Sequence, residues 1–417
     1  MKWGFISLLV AACILQNDAA LPRPDRLRIP AWARSAAIVR DDATLFDRPD
    51  WMSRRLGTAE KGARLPLIEA ARGLGCDGSW LLVGDSAWVC DSVVDVSREE
   101  PFAKPRALRS DQLPFRYYFV DTDSVYDYPD IESGRLKRDG RQLSPGFGLA
   151  ISTVQTVGDQ RWGHMSTDRW VPMNELRRVQ PSLFSGEEIH SDVGFALDFG
   201  WVNRERAKVF SYPIRGASPA KLRAIHDKVF WGKTRIVDSV EYVQTSPDDK
   251  KPAEWMLVSD VAHPTIAAPP SEVERTDERW IDVDLSSQTL VAYQGARPVF
   301  ATLVSTGTRK RGLNFSTPKG VNRIWVKLFI SNMSGMNDAT SRYSVDGVPF
   351  VQFFDAGVGL HGAYAHDLFG RTMSHGCVNL APSDAERLFY WTTPTLPDGW
   401  SAVLSSSADR GTIVRVR

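Results

Sequence analysis

The sequence has almost no net charge, few cysteines and histidines, and no apolar run of membrane-spanning length. Its 51 basic and 50 acidic side chains leave a formal charge of +1, which removes the electrostatic case for a nucleic-acid partner. No segment comes near the ~20 consecutive apolar residues that a membrane-crossing helix needs. Only four cysteines and seven histidines occur in 417 residues, so each can be asked its purpose. What remains, 43% hydrophobic and 24% charged, has the texture of a globular chain. The length suits three or four domains better than one.

Residues 1–20 read as an export signal. Lys2 supplies the positive start, and Trp3 to Ala12 is an apolar stretch too short to span a bilayer but suited to a signal peptide. Val10-Ala11-Ala12-Cys13 resembles a bacterial lipobox, in which Cys13 is acylated and becomes the new N-terminus. The other reading is ordinary cleavage near Ala19-Ala20, where Asn17 or Asp18 fits the −3 position poorly. The expectation is an exported protein of the periplasm or cell envelope, whose membrane attachment is a lipid on Cys13. Ile14 stands where an aspartate marks inner-membrane retention, which points to the outer membrane.

Cys76 and Cys90 are 14 residues apart, across a Gly84-Asp85-Ser86 turn signal. That spacing suits a disulfide across a hairpin in an oxidising compartment, worth about 3 kcal/mol by loop closure. The alternative is two buried thiols. Cys377 then has no partner, and an unpaired cysteine in an exported protein is either incidental or reactive.

A weak repeat runs through the first two thirds. Ala43 to Pro49, Asp123 to Pro129 and Ala207 to Pro213 are each an apolar-aromatic strand end stopped by proline, followed downstream by Trp80, Trp162 and Trp255. Short strands with Gly, Asp and Ser turns between them are the pattern of a small barrel. The third unit has a longer gap, and Ser218-Pro219-Ala220 predicts an inserted helix through Phe230, with serine as N-cap and proline at the first helical position. The units resemble bacterial SH3-like domains, at residues 32–97, 113–182 and 197–265. The resemblance implies wall-peptide binding or a spacer role; the plainer reading of the three tryptophans is barrel core.

From residue 278 the texture changes. Ile281 to Leu285 alternates as a half-buried strand does. Leu290–Tyr293, Val299–Val304, Arg323–Phe329 and Phe350–Phe354 are further strand candidates, and Thr412-Ile413-Val414 suggests a last one. Ser383 to Glu386 is a capping box that predicts one helix with an apolar face on Ala385, Leu388 and Phe389. The expected fold class is mainly β with minor α.

Three of the seven histidines crowd the unpaired cysteine: His361 and His366 in Leu360 to His366, and His375 in Ser374-His375-Gly376-Cys377-Val378-Asn379-Leu380. A nearby imidazole can take a thiol proton and leave a thiolate. Gly376 allows close backbone approach, so that adjacent N–H groups can meet an oxyanion. Zinc is the chief rival, because His361, His366, His375 and Cys377 are all good ligands. The spacing offers no Cys-x-x-Cys and no i, i+4 helical pair. Buried structural residues are the remaining reading.

These motifs, with Val304 to Gly307, Thr317 to Gly320, Phe369-Gly370 and Pro382, make residues 278–417 resemble the catalytic domain of L,D-transpeptidases, the YkuD family. The resemblance implies Cys377 as nucleophile, and His361, 16 residues earlier, as base oriented by the Gly362 carbonyl. It implies His375, Gly376 and Cys377 N–H groups as the oxyanion site. Ser374, Asn379 and Tyr364 would hold substrate or the loop, and His366 is a substrate contact or a loop brace. No cofactor and no metal are implied. The partners would be peptidoglycan stem peptides: the diaminopimelate–D-alanine bond is cleaved through a thioester, and an amine acceptor forms a 3→3 cross-link. Acylation by carbapenems is a further implication. Water, a free D-amino acid or a protein lysine are alternative acceptors, and a non-catalytic wall-binding protein is the alternative of another class.

Overall fold

The structure is a computed structural model that describes residues 25–41, 43–103, 108, 113–190, 197–310, 313–336 and 342–417. The export signal and Cys13 lie outside the described residues. The chain is mainly β, with 45% strand and 7% helix.

Three small antiparallel units come first, and they are built alike. In each, a strand carrying an aromatic is followed by a short strand that opens on tryptophan, a one-turn 3-10 helix and a last strand. The short strands are Trp88–Cys90, Trp170–Pro172 and Trp255–Leu257, and the turns are Asp91–Val93, Met173–Glu175 and Val258–Asp260. The preceding aromatics are Trp80, Trp162 and Tyr242, each meeting an earlier ring edge-on: Phe46, Tyr128 and Phe210, at 5.4, 6.1 and 5.9 Å. Such edge-to-face pairs add about 0.5–1.5 kcal/mol beyond area burial. All three tryptophans of the expected repeat are buried.

Two expectations for the third unit are corrected. Trp255 is not the counterpart of Trp80 and Trp162; Tyr242 is, so the longer gap reflects a miscounted strand. The expected helix from Ser218 to Phe230 does not form. Lys221–Arg223 pairs with Ala207–Val209, and Lys228–Phe230 pairs with Phe199–Trp201. His226 between them has φ 69°, which an α-helix excludes. The cap signal is outweighed because strand pairing buries Val209 and Val229 in the unit's core.

The C-terminal part packs two sheets and a helix around one core. A six-stranded sheet runs in the order Glu187–Glu188, Arg297–Leu303, Thr289–Gln294, Arg279–Asp284, Ile413–Val416, Gly320–Arg323. Facing it are the long hairpin Val326–Met336 and Arg342–Asp355, then Val358–Gly362 and Val378–Leu380. The helix Pro382–Trp391 lies on this second layer, burying Ala385, Leu388 and Phe389 as its face requires. The expected capping box is not made. Pro382 takes the first helical turn, where its missing N–H costs nothing, the N-cap is Ala381, and Ser383 Oγ donates instead to the Phe184 carbonyl.

The N-terminal units are not beads on a string. Trp400–Leu404 lies between Val326–Met336 and Arg55–Ala59 of the first unit, with Ala402 opposite Thr58. A Cβ on Gly57 would stand 2.1 Å from the Ala402 carbonyl oxygen, so only glycine permits this approach. The second unit reaches the other side of the hairpin through a parallel Gly148–Val345 bridge. One sheet of 16 strands therefore runs from the first unit through the long hairpin into the second. The third unit shares a core with the C-terminal part, where Trp201, Trp280, Tyr293, Leu303 and Phe369 pack together.

Candidate active site

Two short parallel strands build the site. Val358–Gly362 and Val378–Leu380 pair with His361 opposite Asn379, and directly paired residues share a face of a sheet. The Ser374–Cys377 loop precedes the second strand and is held from both ends. Ser374 N–H donates to Thr306 O and Thr308 N–H to Ser374 O, while Ser305 and Asn379 exchange two bonds of 2.9 Å. Thr317 Oγ1 accepts from Gly307 N–H and donates to the Gly376 carbonyl at 2.7 Å. Gly376 has φ 124°, a backbone that side chains rarely adopt. Inside the loop, Ser374 Oγ accepts from Gly376 N–H and donates to the Cys377 carbonyl, at 3.1 and 2.5 Å.

The loop and both strands open on one cavity of about 480 Å³ whose lining includes Cys377, His361, His375, His366, Ser374 and Asn379. The hairpin supplies its other wall, with Asn332, Met333, Tyr343 and Val345.

His361 is buried, and its Nδ1 lies 3.2 Å from the Gly362 carbonyl. Nδ1–H is therefore the donor, and Nε2 carries the lone pair. Burial pulls the imidazole pKa down to about 4, only partly offset by that carbonyl. Burial also pushes the Cys377 thiol above its ordinary value. At neutral pH both partners are uncharged at rest. The thiol's own hydrogen bond is a weak one, 3.7 Å to the Gly357 carbonyl. A neutral imidazole in the same cavity as a neutral thiol is equipped to take the proton as the sulfur attacks.

The other expected site residues divide. His375 is clamped between Tyr343, stacked at 4.5 Å, and Phe315, edge-on at 4.7 Å. Its ring thus joins the loop to the hairpin, and Tyr343 was not legible in the motif. Tyr364 is buried at 1% exposure; its hydroxyl donates to Asp346 O, and Tyr117 of the second unit stacks on it at 3.7 Å. Only a sliver of it faces the cavity, so it braces the wall. His366 Nδ1 accepts from Leu368 N–H at 3.2 Å. Its Nε2 then bears the proton, and the Asn379 amide, 3.0 Å away, must present its oxygen there. Burial holds the His366 pKa near 4 as well. Ser374 serves the loop rather than the open cavity, and the Gly376 N–H is committed to it. Of the three N–H groups expected at an oxyanion site, that of Gly376 is thus turned into the loop.

The four candidate zinc ligands do not converge. Among the described residues the group that gathers three ligand atoms is Cys76, Cys90 and Asp91, and the two sulfurs are joined to each other at 2.03 Å. Cys377 is the free cysteine of the described chain.

Residues 278–416 match the family model of the L,D-transpeptidase catalytic domain, YkuD. The match spans about a third of the chain. Among solved structures, the catalytic domain of an Enterococcus faecium L,D-transpeptidase is 26% identical, over 34% of this chain and 98% of that one, with a TM-score of 0.27. An L,D-transpeptidase from Stackebrandtia nassauensis is 28% identical over 36% of this chain and 62% of its own, TM-score 0.24. One from Mycobacterium smegmatis is 16% identical over 51% and 98%, TM-score 0.27. No curated protein matches the chain.

Proposed function

We propose that the chain is a peptidoglycan L,D-transpeptidase in which Cys377 is the nucleophile and His361 the base. The observation that carries the reading is that a free thiol and an imidazole with an available Nε2 line one cavity, inside the segment that matches the family. Cys377 Sγ attacks the carbonyl carbon between diaminopimelate and terminal D-alanine of a stem tetrapeptide while His361 Nε2 takes the thiol proton. The oxyanion accepts from the Cys377 N–H. Collapse breaks the amide bond, the proton passes from His361 to the departing amine, and D-alanine leaves a thioester behind. An acceptor amine then attacks, gives its proton to His361 and restores the thiol. When the amine is a second stem's diaminopimelate side chain, the product is a 3→3 cross-link.

Nucleophile, oxyanion donor and base rely on fixed geometry, and such preorganisation supplies most of the acceleration in sites of this kind. We read the three N-terminal units as SH3-like and the chain as exported and lipid-anchored through Cys13; a lipid mass on the N-terminal peptide tests the anchor, and an unmodified terminus near Leu21 refutes it. The test of the reaction is D-alanine release from disaccharide tetrapeptide, with mass spectrometry of products when diaminopimelate, glycine or water competes as acceptor. Turnover that persists in Cys377→Ala contradicts the reading.

A further inference from the structure

A second cavity of about 370 Å³ opens where the third unit meets the C-terminal part, lined among others by Asn203, Trp231, His263, Ser286, Ser287 and Gly370. No Lys, Arg, Asp or Glu lines it. Trp231 and His263 stack at 4.1 Å with their planes 2° apart. His263 Nδ1 lies 2.9 Å from the Phe199 carbonyl, so its Nε2 is a bare acceptor, and burial lowers its pKa and keeps it neutral. The Trp231 indole N–H and the Asn203 carboxamide also make no hydrogen bond among the described residues. The cavity therefore offers an aromatic wall, an unused neutral acceptor, an unused neutral donor, an amide that is both, and three serines. That composition suits an uncharged, hydroxyl-rich ring and repels an ion, which would be desolvated without a counter-charge.

Its position joins it to the thiol. Gly370 N–H donates to Val304 O, and two residues further on Thr306 O accepts from Ser374 N–H. Val304 and Thr306 are about 7 Å apart along an extended chain, and Ser374 Oγ touches the Cys377 carbonyl. Gln288, which follows Ser286 and Ser287 in the chain, bonds Thr306 through its side chain at 2.8 and 2.9 Å. Residues lining the two cavities, Gly370 and Ser374, are thus bonded to the same Val304–Thr306 segment.

We propose that this cavity is a saccharide subsite that seats a neutral sugar ring of the glycan strand while the attached peptide stem reaches Cys377. The inference rests on the proposed transpeptidase reading for its second half only; the cavity's ligand chemistry stands alone. Binding energy from the sugar acts equally in ground and transition states, so its loss raises KM and leaves kcat unchanged.

The test uses the full chain and two substrates, disaccharide tetrapeptide and the free tetrapeptide. Asn203→Ala and, separately, Trp231→Phe are expected to raise KM about tenfold for the first, with kcat unchanged and KM for the free peptide unmoved. Equal changes for both substrates, or none for either, overturn the proposal. Direct titration with the N-acetylglucosamine tetramer gives a readout independent of turnover. Saturable binding weakened about tenfold in Asn203→Ala supports the subsite even if no turnover is found; absent binding, binding unaffected by the substitution, or preference for a peptide or a planar aromatic base contradicts it.

Discussion

At the scale of single residues, burial governs the chemistry. His361 is buried, and the loss of hydration lowers its pKa to about 4. A base must be neutral to act, so the acid limb of kcat/KM belongs near pH 4, with a plateau from about pH 5 through neutrality. A midpoint at the ordinary imidazole value near 6.5 would show that His361 is not the limiting base. His361→Ala should cost about 10²–10⁴-fold in acylation, the usual contribution of a general base, measured as single-turnover D-alanine release. Lys327 is a second buried group. It is 1% exposed, its Nζ donates to the Phe389 and Thr392 carbonyls at the end of the helix, and burial lowers its pKa to about 7. Between pH 7 and the ordinary lysine value near 10.4, the unfolded chain holds a proton that the folded one has released. Stability therefore rises with pH through that window. Denaturant titrations at pH 7 and pH 10 should show this rise in the natural chain and lose it in Lys327→Met.

At the scale of elements, the short parallel pair that sets His361 beside Asn379 is the device that makes the site. Its strands were only partly legible. Val358–Gly362 is not among the strand candidates, because its glycines and histidine hide a strand whose last four residues are all buried. The hairpin wall was underestimated for another reason. Lys327, Ser331 and Ser344 break the alternation that marks a strand, and the pairing of Val326–Met336 with Arg342–Asp355 comes from tertiary context. The Ser-His-Gly-Cys block stands out in the sequence because its residues are contiguous, whereas Tyr343, brought in from 32 residues upstream to stack on His375, gave no signal. In the third unit, a helix cap of good local form lost to strand pairing. The seam between Arg55–Ala59 and Trp400–Leu404 is the most exposed to test. Gly57→Ala puts a methyl group against a backbone carbonyl that cannot move away, and should destabilise by about 1–3 kcal/mol. Gly84→Ala, whose Cβ would meet the Ala87 Cβ at an ordinary 3.6 Å, should be close to neutral, and denaturant midpoints compare the two.

At the scale of the molecule, the units that the sequence pattern marked as small repeated barrels are built into the part that carries the site. The first and second extend the hairpin's sheet from either side. The third unit supplies Trp201 to the core that buries Phe369, on the loop between His366 and Ser374, and Phe184, just ahead of that unit, packs on both rings. Repeats and linkers can be read from a sequence, but docking cannot, because it depends on surfaces that lie hundreds of residues apart, such as Tyr117 Oη and Gly347 O at 2.6 Å. Residues 278–417 expressed alone would expose that shared core and one hairpin edge. They should melt well below the full chain and turn over substrate poorly; an isolated segment with the full chain's melting temperature and activity would show the docking to be incidental.

The most direct measurement is the intact mass of the protein during turnover of disaccharide tetrapeptide without added acceptor. The account predicts an adduct equal to the substrate minus D-alanine, one per chain, located by peptide mapping on Cys377 and absent from Cys377→Ala. D-alanine release with no adduct, or an adduct on another residue, would contradict it.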